Sequence, residues 1–247
     1  MKAYVGSGIA ALALMLTGCG GDNAAGNGAA AANNAPLTQI KAPNGDWTQQ
    51  VVQTPEGGFL MGNPQAPVKV VEFGSMTCGH CATFAEEGEP KLIEAYVKSG
   101  QVSFEMRNFV RDPADLAAAI IARCNGPSAF FPLNDQLFAA QEEWLGALSN
   151  MSQQEQQQLQ SLPPAQVSAT LAQKAGLDEF ARVRGIPAAK VQACLSDQTE
   201  IKRLVDMNQR AVKEHSIDGT PSFLVNGRLV EGSTWAVLEP EIRKALP

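Results

Sequence analysis

Apolar side chains along this chain fall into three regimes. Residues 9–16 form an unbroken apolar run shortly after Lys2, too short to span a bilayer as a mature helix but suited to the core of a secretory signal. Residues 20–35 are only Gly, Ala, Asn or Asp, with no large apolar group to bury. Such a segment cannot offset its ordering entropy and is predicted to be a flexible tether, extended here to residue 45, with an r.m.s. reach of roughly 28 Å. From residue 46 onward the pattern becomes periodic, and the globular domain is expected over 46–247.

Within that domain, 47–52 and 59–61 read as short strands around the turn Pro55-Glu56-Gly57-Gly58. Residues 68–73 are a β-branched run with the continuous apolar character of a buried strand. A helix is predicted over 78–98, with Phe84, Ile93, Tyr96 and Val97 on its apolar side, a kink at Pro90 and Gly100 past its end. Residues 101–109 read as the next strand, and strand, helix, strand in succession predicts a parallel pair.

The middle of the chain is helical. Asp112 can cap a helix with Pro113 at its first position, running toward Cys124. Phe131, Leu137, Phe138 and Trp144 give 130–145 a helical spacing, and Ser152 with Glu155 forms a capping box before a glutamine-rich segment that reads as a solvated face. Further helices are predicted over 165–175, 178–184 and 187–195. The last of the run opens at Asp197, with Glu200 as a second capping box and Ile201, Leu204, Val205 and Val212 on one side. Strands at 222–225 and 228–231 flank Asn226-Gly227, a strong hairpin signal, and a final helix is expected to start at Pro240. The layout is βαβ, a helical block, then ββα.

Charge narrows the function. Nineteen Lys and Arg against 25 Asp and Glu give a net charge of -6, which argues against neutralising phosphates, so no nucleic-acid partner is expected. The chain has five cysteines. The first, Cys19, ends the tetrapeptide Leu16-Thr17-Gly18-Cys19, which looks like a bacterial lipobox cleaved before the cysteine. A signal peptide over 1–18, lipidation of Cys19 and a lipid anchor on the periplasmic side of a bacterial membrane are therefore expected.

Cys78-Gly79-His80-Cys81 follows a predicted buried strand and opens a helix. In that setting a Cys-x-x-Cys reads as a redox pair, because two sulfurs on the first turn can close a disulfide. Free N–H groups and the positive end of the helix dipole favour a thiolate on Cys78. Zinc would need four ligands, yet there is no second Cys-x-x-Cys and the histidines are His80 and His215. Covalent haem attachment needs a histidine where Ala82 stands, so neither metal nor cofactor is expected. A short structural disulfide is the remaining alternative.

With these residues the chain resembles the DsbA-like thiol:disulfide oxidoreductases of the thioredoxin superfamily. The resemblance rests on Gly62-Asn63-Pro64, on Ala66-Pro67-Val68 leading into Val71-Glu72-Phe73, on Cys78 to Cys81, and on Gly219-Thr220-Pro221-Ser222-Phe223. It implies an α/β thioredoxin fold, a central mixed sheet flanked by helices, with a large helical insertion at about 112–215. It also implies Glu72 as a buried acid near Cys81, a cis Thr220–Pro221 bond facing the disulfide and binding substrate through the Thr220 main chain, and His80 as a stabiliser of the Cys78 thiolate.

The expected reaction is exchange of the Cys78/Cys81 disulfide with thiols of client proteins, Cys78 being the exposed sulfur and Cys81 its buried partner. Cys124 and Cys194 are expected to form a structural disulfide in the oxidising compartment, two buried free thiols being the alternative. The family implies a membrane quinone-linked reoxidase as partner, and with only a tether before the domain a monomeric oxidase is favoured. A disulfide isomerase or reductase, or a thioredoxin-fold chaperone or binding module, are the competing functions.

Overall fold

A computed structural model describes residues 37–247. The expected signal segment, Cys19 and the tether as far as residue 36 lie outside the described residues. Residues 37–45, expected to continue the tether, are instead held by the domain. Gln101 Nε2 donates to the Thr38 carbonyl at 2.9 Å, Ile40 N–H donates to the Ser99 carbonyl at 2.8 Å, and the buried Trp47 indole N–H donates to the Ile40 carbonyl at 2.7 Å. A buried indole N–H needs an acceptor, and this segment supplies it.

Strands β1 (Val51–Gln53), β2 (Phe59–Gly62), β3 (Val68–Gly74), β4 (Val102–Asn108), β5 (Ser222–Val225) and β6 (Arg228–Leu229) form one mixed sheet in the order β1-β2-β4-β3-β5-β6. The first predicted strand is shorter than expected, because Asp46 caps a 3-10 turn at Trp47–Gln49 and only the residues after it pair. β3 and β4 are parallel, and β5 runs antiparallel to β3 with Glu72 opposite Phe223. β3 is therefore interior to the sheet, as its β-branched run requires. Asn226 and Gly227, at φ 50° and 78°, turn β5 into β6. Both angles lie in the left-handed region such a turn demands.

The helix after β3 is broken earlier than Pro90. α1 (Gly79–Glu87) ends at Gly88, α2 (Glu89–Leu92) starts beyond it, and a π turn at Ile93–Val97 completes the element. A Cβ on Gly88 would lie 2.5 Å from the Phe84 ring, so glycine is what lets that ring pack beneath the break. Pro90 then falls in the first turn of α2, where its missing N–H is not needed.

The insertion spans eight helices: α3 (Pro113–Arg123), α4 (Pro127–Ala139), α5 (Gln141–Ser149), α6 (Gln153–Ser161), α7 (Pro164–Lys174), α8 (Leu177–Arg182), α9 (Ala188–Leu195) and α10 (Gln198–His215). The helix predicted over 130–145 is divided at Ala140. In α10, Asp197 accepts from the N–H groups of Thr199 and Glu200, but Glu200 does not complete the expected capping box. Its carboxylate turns to Arg123 (2.5 Å) and Arg203 (2.9 Å), since Arg123 is buried and its charge requires a partner. The buried side of α10 is Leu204, Met207 and Ala211, whereas Val205 and Val212 are exposed, contrary to expectation.

The final helix α11 (Trp235–Ala245) begins before Pro240, with Thr234 at its cap. Buried Leu238 and Ile242 and the Trp235–Tyr96 ring contact hold it despite the interior proline. Cys124, at the end of α3, and Cys194, in α9, are joined by a disulfide. The main core lies between one face of the sheet and the helices. A smaller cluster of Val71, Phe73, Ala211, Ile217 and Leu224 covers part of the other face.

Candidate active site

β3 delivers the chain into Ser75, Met76 and Thr77, and Cys78 occupies the cap position of α1 with extended backbone (φ -95°, ψ 117°). Residues of the insertion fix this short crossing. Asp115 of α3 accepts from the Ser75 hydroxyl at 2.5 Å, the Met76 N–H at 2.8 Å and the Arg111 N–H at 2.9 Å. Gln141 at the start of α5 donates to the carbonyls of Met76 and Cys78 at 2.8 and 3.0 Å. Arg111 Nε donates to Ser75 Oγ at 2.8 Å. The cysteine loop is thus held by buried polar bonds, each costly to leave unmade.

The two sulfurs sit in opposite environments. Both cysteines are free thiols. The Cys81 thiol beside it is the main cause that holds Cys78 down to about 4, helped by the Thr220 hydroxyl and by the N–H groups of Cys81 and His80, against the opposing effect of burial. Thr220 Oγ1 is buried and has no partner in the dithiol form, so it is free to donate once Cys78 carries charge. Cys81 is fully buried; desolvation above all pushes its thiol far up, the Cys78 sulfur and the Glu72 charge add to this, and the Ser75 N–H donating at 3.4 Å opposes it. At neutral pH the pair therefore holds one thiolate, on Cys78, and one thiol, on Cys81.

The peptide bond between Thr220 and Pro221 is cis, and in the dithiol form the Cys78 thiol donates to the Thr220 carbonyl at 3.2 Å. That loop covers the first sulfur. Cys78 is only 6% exposed, so the expectation of an exposed sulfur needs correction: it is the more accessible of two buried ones. Glu72 is buried in β3, with Oε1 unpartnered, and burial, with the charges of Asp135 and Cys78, raises its carboxyl to about 8. A Cβ on Gly74 would stand 3.0 Å from that oxygen and 2.6 Å from the Met106 methyl, so the glycine keeps the carboxyl's space open. His80 is exposed, and its backbone N–H is the group that acts on the Cys78 sulfur. Among the described residues no cluster of side chains suits a metal ion.

A family model described as Thioredoxin matches residues 54–243. The crystal structure of a protein-disulfide isomerase from Novosphingobium aromaticivorans superposes with a TM-score of 0.71 at 36% identity, covering 74% of this chain and 94% of that one. Wolbachia pipientis alpha-DsbA1 shares the fold with a TM-score of 0.61 at 22% identity, covering 75% of this chain and 89% of that one. This chain belongs to the thioredoxin family, with the fold of the DsbA-like proteins. A Rickettsia prowazekii protein named as a protein-disulfide oxidoreductase is 27% identical over 83% of this chain and 68% of its own length, and a Rickettsia bellii relative is covered over 65% of its length. The chain thus spans about two thirds of these relatives.

In this DsbA-like protein the structure brings Glu72, Cys78, Cys81, Thr220 and Pro221 together and leaves the exposed His80 ring at the rim. Cys124 and Cys194 lie at the far ends of α3 and α9, and Cys19 is outside the described residues. Sequence reasoning missed Asp115, Gln141, Glu89 and Asp135. Only Glu89 left a signal there, a carboxylate within the helix predicted over 78–98, which the structure places at the start of α2.

Proposed function

We propose that this protein is a disulfide-forming oxidase for client proteins with free thiols. A client thiolate attacks the Cys78 sulfur of the oxidised enzyme, making a mixed disulfide and releasing Cys81, which takes up a proton. A second client thiolate attacks the client sulfur of that bond and releases Cys78 as a thiolate. The client leaves with a new disulfide, and its two electrons stay on the enzyme dithiol. Reoxidation would fall to a membrane quinone-linked partner.

The observation that carries the reading is the setting of Cys78 at the cap position of α1, where the Cys81 thiol above all, with the Thr220 hydroxyl and the N–H groups of Cys81 and His80, lowers its thiol to about 4. A stabilised thiolate favours the reduced enzyme, which makes its disulfide a stronger oxidant, and it is a good leaving group. Equilibration with glutathione tests this: a potential of about -120 to -200 mV is expected, and one below thioredoxin's value of about -270 mV would contradict it. The extended backbone beside Pro221 is suited to pairing a client segment in strand form through the Thr220 main chain.

An isomerase is the second reading, favoured by the Novosphingobium relative of that name. Refolding of scrambled ribonuclease beside oxidation of a reduced peptide separates the two, and faster peptide oxidation is expected. We also propose a monomer held on the periplasmic side of a bacterial membrane by a lipid on Cys19, supported by Leu16-Thr17-Gly18-Cys19. Metabolic labelling with a fatty acid, lost in Cys19→Ser, tests that assignment.

A further inference from the structure

Ser75, fully buried between β3 and Cys78, bonds both cysteines through its backbone. Its N–H donates to the Cys81 sulfur at 3.4 Å, and its carbonyl accepts from the Cys78 N–H at 3.1 Å. Its hydroxyl donates to Asp115 at 2.5 Å and accepts from Arg111 Nε at 2.8 Å. The peptide unit that carries the Ser75 N–H is pinned at its other end as well, where the Phe109 N–H donates to the Gly74 carbonyl at 2.7 Å. The direction of that N–H toward the buried sulfur is thus set from both sides.

Asp115 belongs to α3, the first helix of the insertion, and is itself only 1% exposed. Its Oδ2 accepts from the Ser75 hydroxyl and the Arg111 N–H, and its Oδ1 from the Met76 N–H. Burial raises the carboxyl to about 6 against the pull of these three donors, so at neutral pH both oxygens accept. An amide of the same shape cannot do this. Its NH2 group would face the Met76 N–H in one orientation and the Arg111 N–H in the other, leaving a buried donor unmade. Burying a carboxylate is costly, and what this one holds in place is a residue bonded to both members of the redox pair.

A group that accepts a hydrogen bond becomes a better donor in turn, because linked bonds polarise one another. The Cys81 thiol is the first cause that lowers Cys78, so the Ser75 N–H acts on Cys78 at one remove. We propose that Asp115 and Ser75 are positioning residues, through which the helical insertion holds the Ser75 N–H on the Cys81 sulfur and keeps the Cys81 thiol donating to the Cys78 thiolate. The assignment rests on the reading of Cys78 and Cys81 as the exchanging pair. It gives the insertion a part in setting the redox potential, since whatever stabilises the thiolate favours the reduced enzyme. Asp115 acts by geometry alone, and no proton or electron passes through it.

Titration of the Cys78 thiolate by its ultraviolet absorbance in the reduced full protein, beside equilibration with glutathione, tests the assignment. Asp115→Asn is expected to raise the Cys78 midpoint by about one pH unit, and so to make the disulfide about tenfold less oxidising in its equilibrium constant with glutathione. Ser75→Ala keeps the N–H and the Met76 bond to Asp115, and should move both readings the same way by less; it carries the test where Asp115→Asn fails to fold. Trp47→Phe removes a buried hydrogen bond to Ile40 at the opposite end of β4, and should lower the urea midpoint while leaving the Cys78 titration where it was. An unmoved Cys78 midpoint in folded Asp115→Asn or Ser75→Ala would overturn the proposal, as would an equal rise in Trp47→Phe, which would reduce the effect to general loosening. The titration needs no exchange partner. A raised midpoint in a protein that oxidises no client thiol would therefore uphold the role of Asp115 and count against the oxidase reading, and an unmoved one with client oxidation intact would do the reverse.

Discussion

Two cysteine pairs in this chain occupy opposite poles of their helices. Cys78 caps the start of α1, where backbone N–H groups converge, and the chain beside it is held by bonds from Asp115 and Gln141. Cys124 caps the end of α3, where carbonyls converge, and Cys194 is the next-to-last residue of α9. An N-terminal pole stabilises a thiolate and a C-terminal pole does not. The first pair is thus built to open and close. The second closes a loop with a sequence separation of 70, and its sulfurs lie at the C-terminal ends of α3 and α9. The same bond becomes reagent or brace according to what surrounds its sulfurs: at Cys78 a neighbouring thiol first, then the Thr220 hydroxyl and the N–H groups of the helix start.

The largest expected effect comes from exchanging roles at the first pair. Cys78→Ser should abolish oxidation of client thiols, whereas Cys81→Ser should accumulate the mixed disulfide on Cys78, visible on a non-reducing gel. Next in size, replacing both Cys124 and Cys194 by serine should lower stability by about 4 kcal/mol in the chain-entropy model while leaving the potential of the Cys78–Cys81 pair unchanged. Urea unfolding beside glutathione equilibration reads both. A large shift in potential would erase the distinction between the pairs.

A smaller effect follows from pH. The folded value of about 4 for Cys78 lies below the 9.0 of a free thiol. Its contribution to the reduced form is therefore complete above the free value, still present at neutral pH, and lost as pH falls through about 4. The oxidised form has no such group. The gap in urea midpoint between reduced and oxidised protein should narrow as the pH is lowered from neutral to about 4. A gap independent of pH would remove the thiolate from the explanation.

Several of these features were legible in the sequence because they are local. The Cys-x-x-Cys spacing, Glu72 on a β-branched strand, Thr220-Pro221 and the Asn226-Gly227 turn each depend on a few neighbouring residues. Asp115 and Gln141 were not legible, since the groups of 75–78 that they bind are brought near only by the folded insertion. Helix phase was misread where apolar residues sit on two sides: α10 buries Leu204, Met207 and Ala211 and leaves Val205 and Val212 in solvent. Glycine overrode proline at the break after α1, because the Phe84 ring occupies the space a Cβ at position 88 would need.

The claim that Cys78, held down first by the Cys81 thiol and then by Thr220 and the N–H groups at the start of α1, is a standing thiolate is tested most directly by its alkylation rate as a function of pH in the reduced protein. Reactivity governed by a single ionisation with a midpoint near pH 4 is expected. A midpoint of about 8.5, that of an ordinary cysteine, would contradict it.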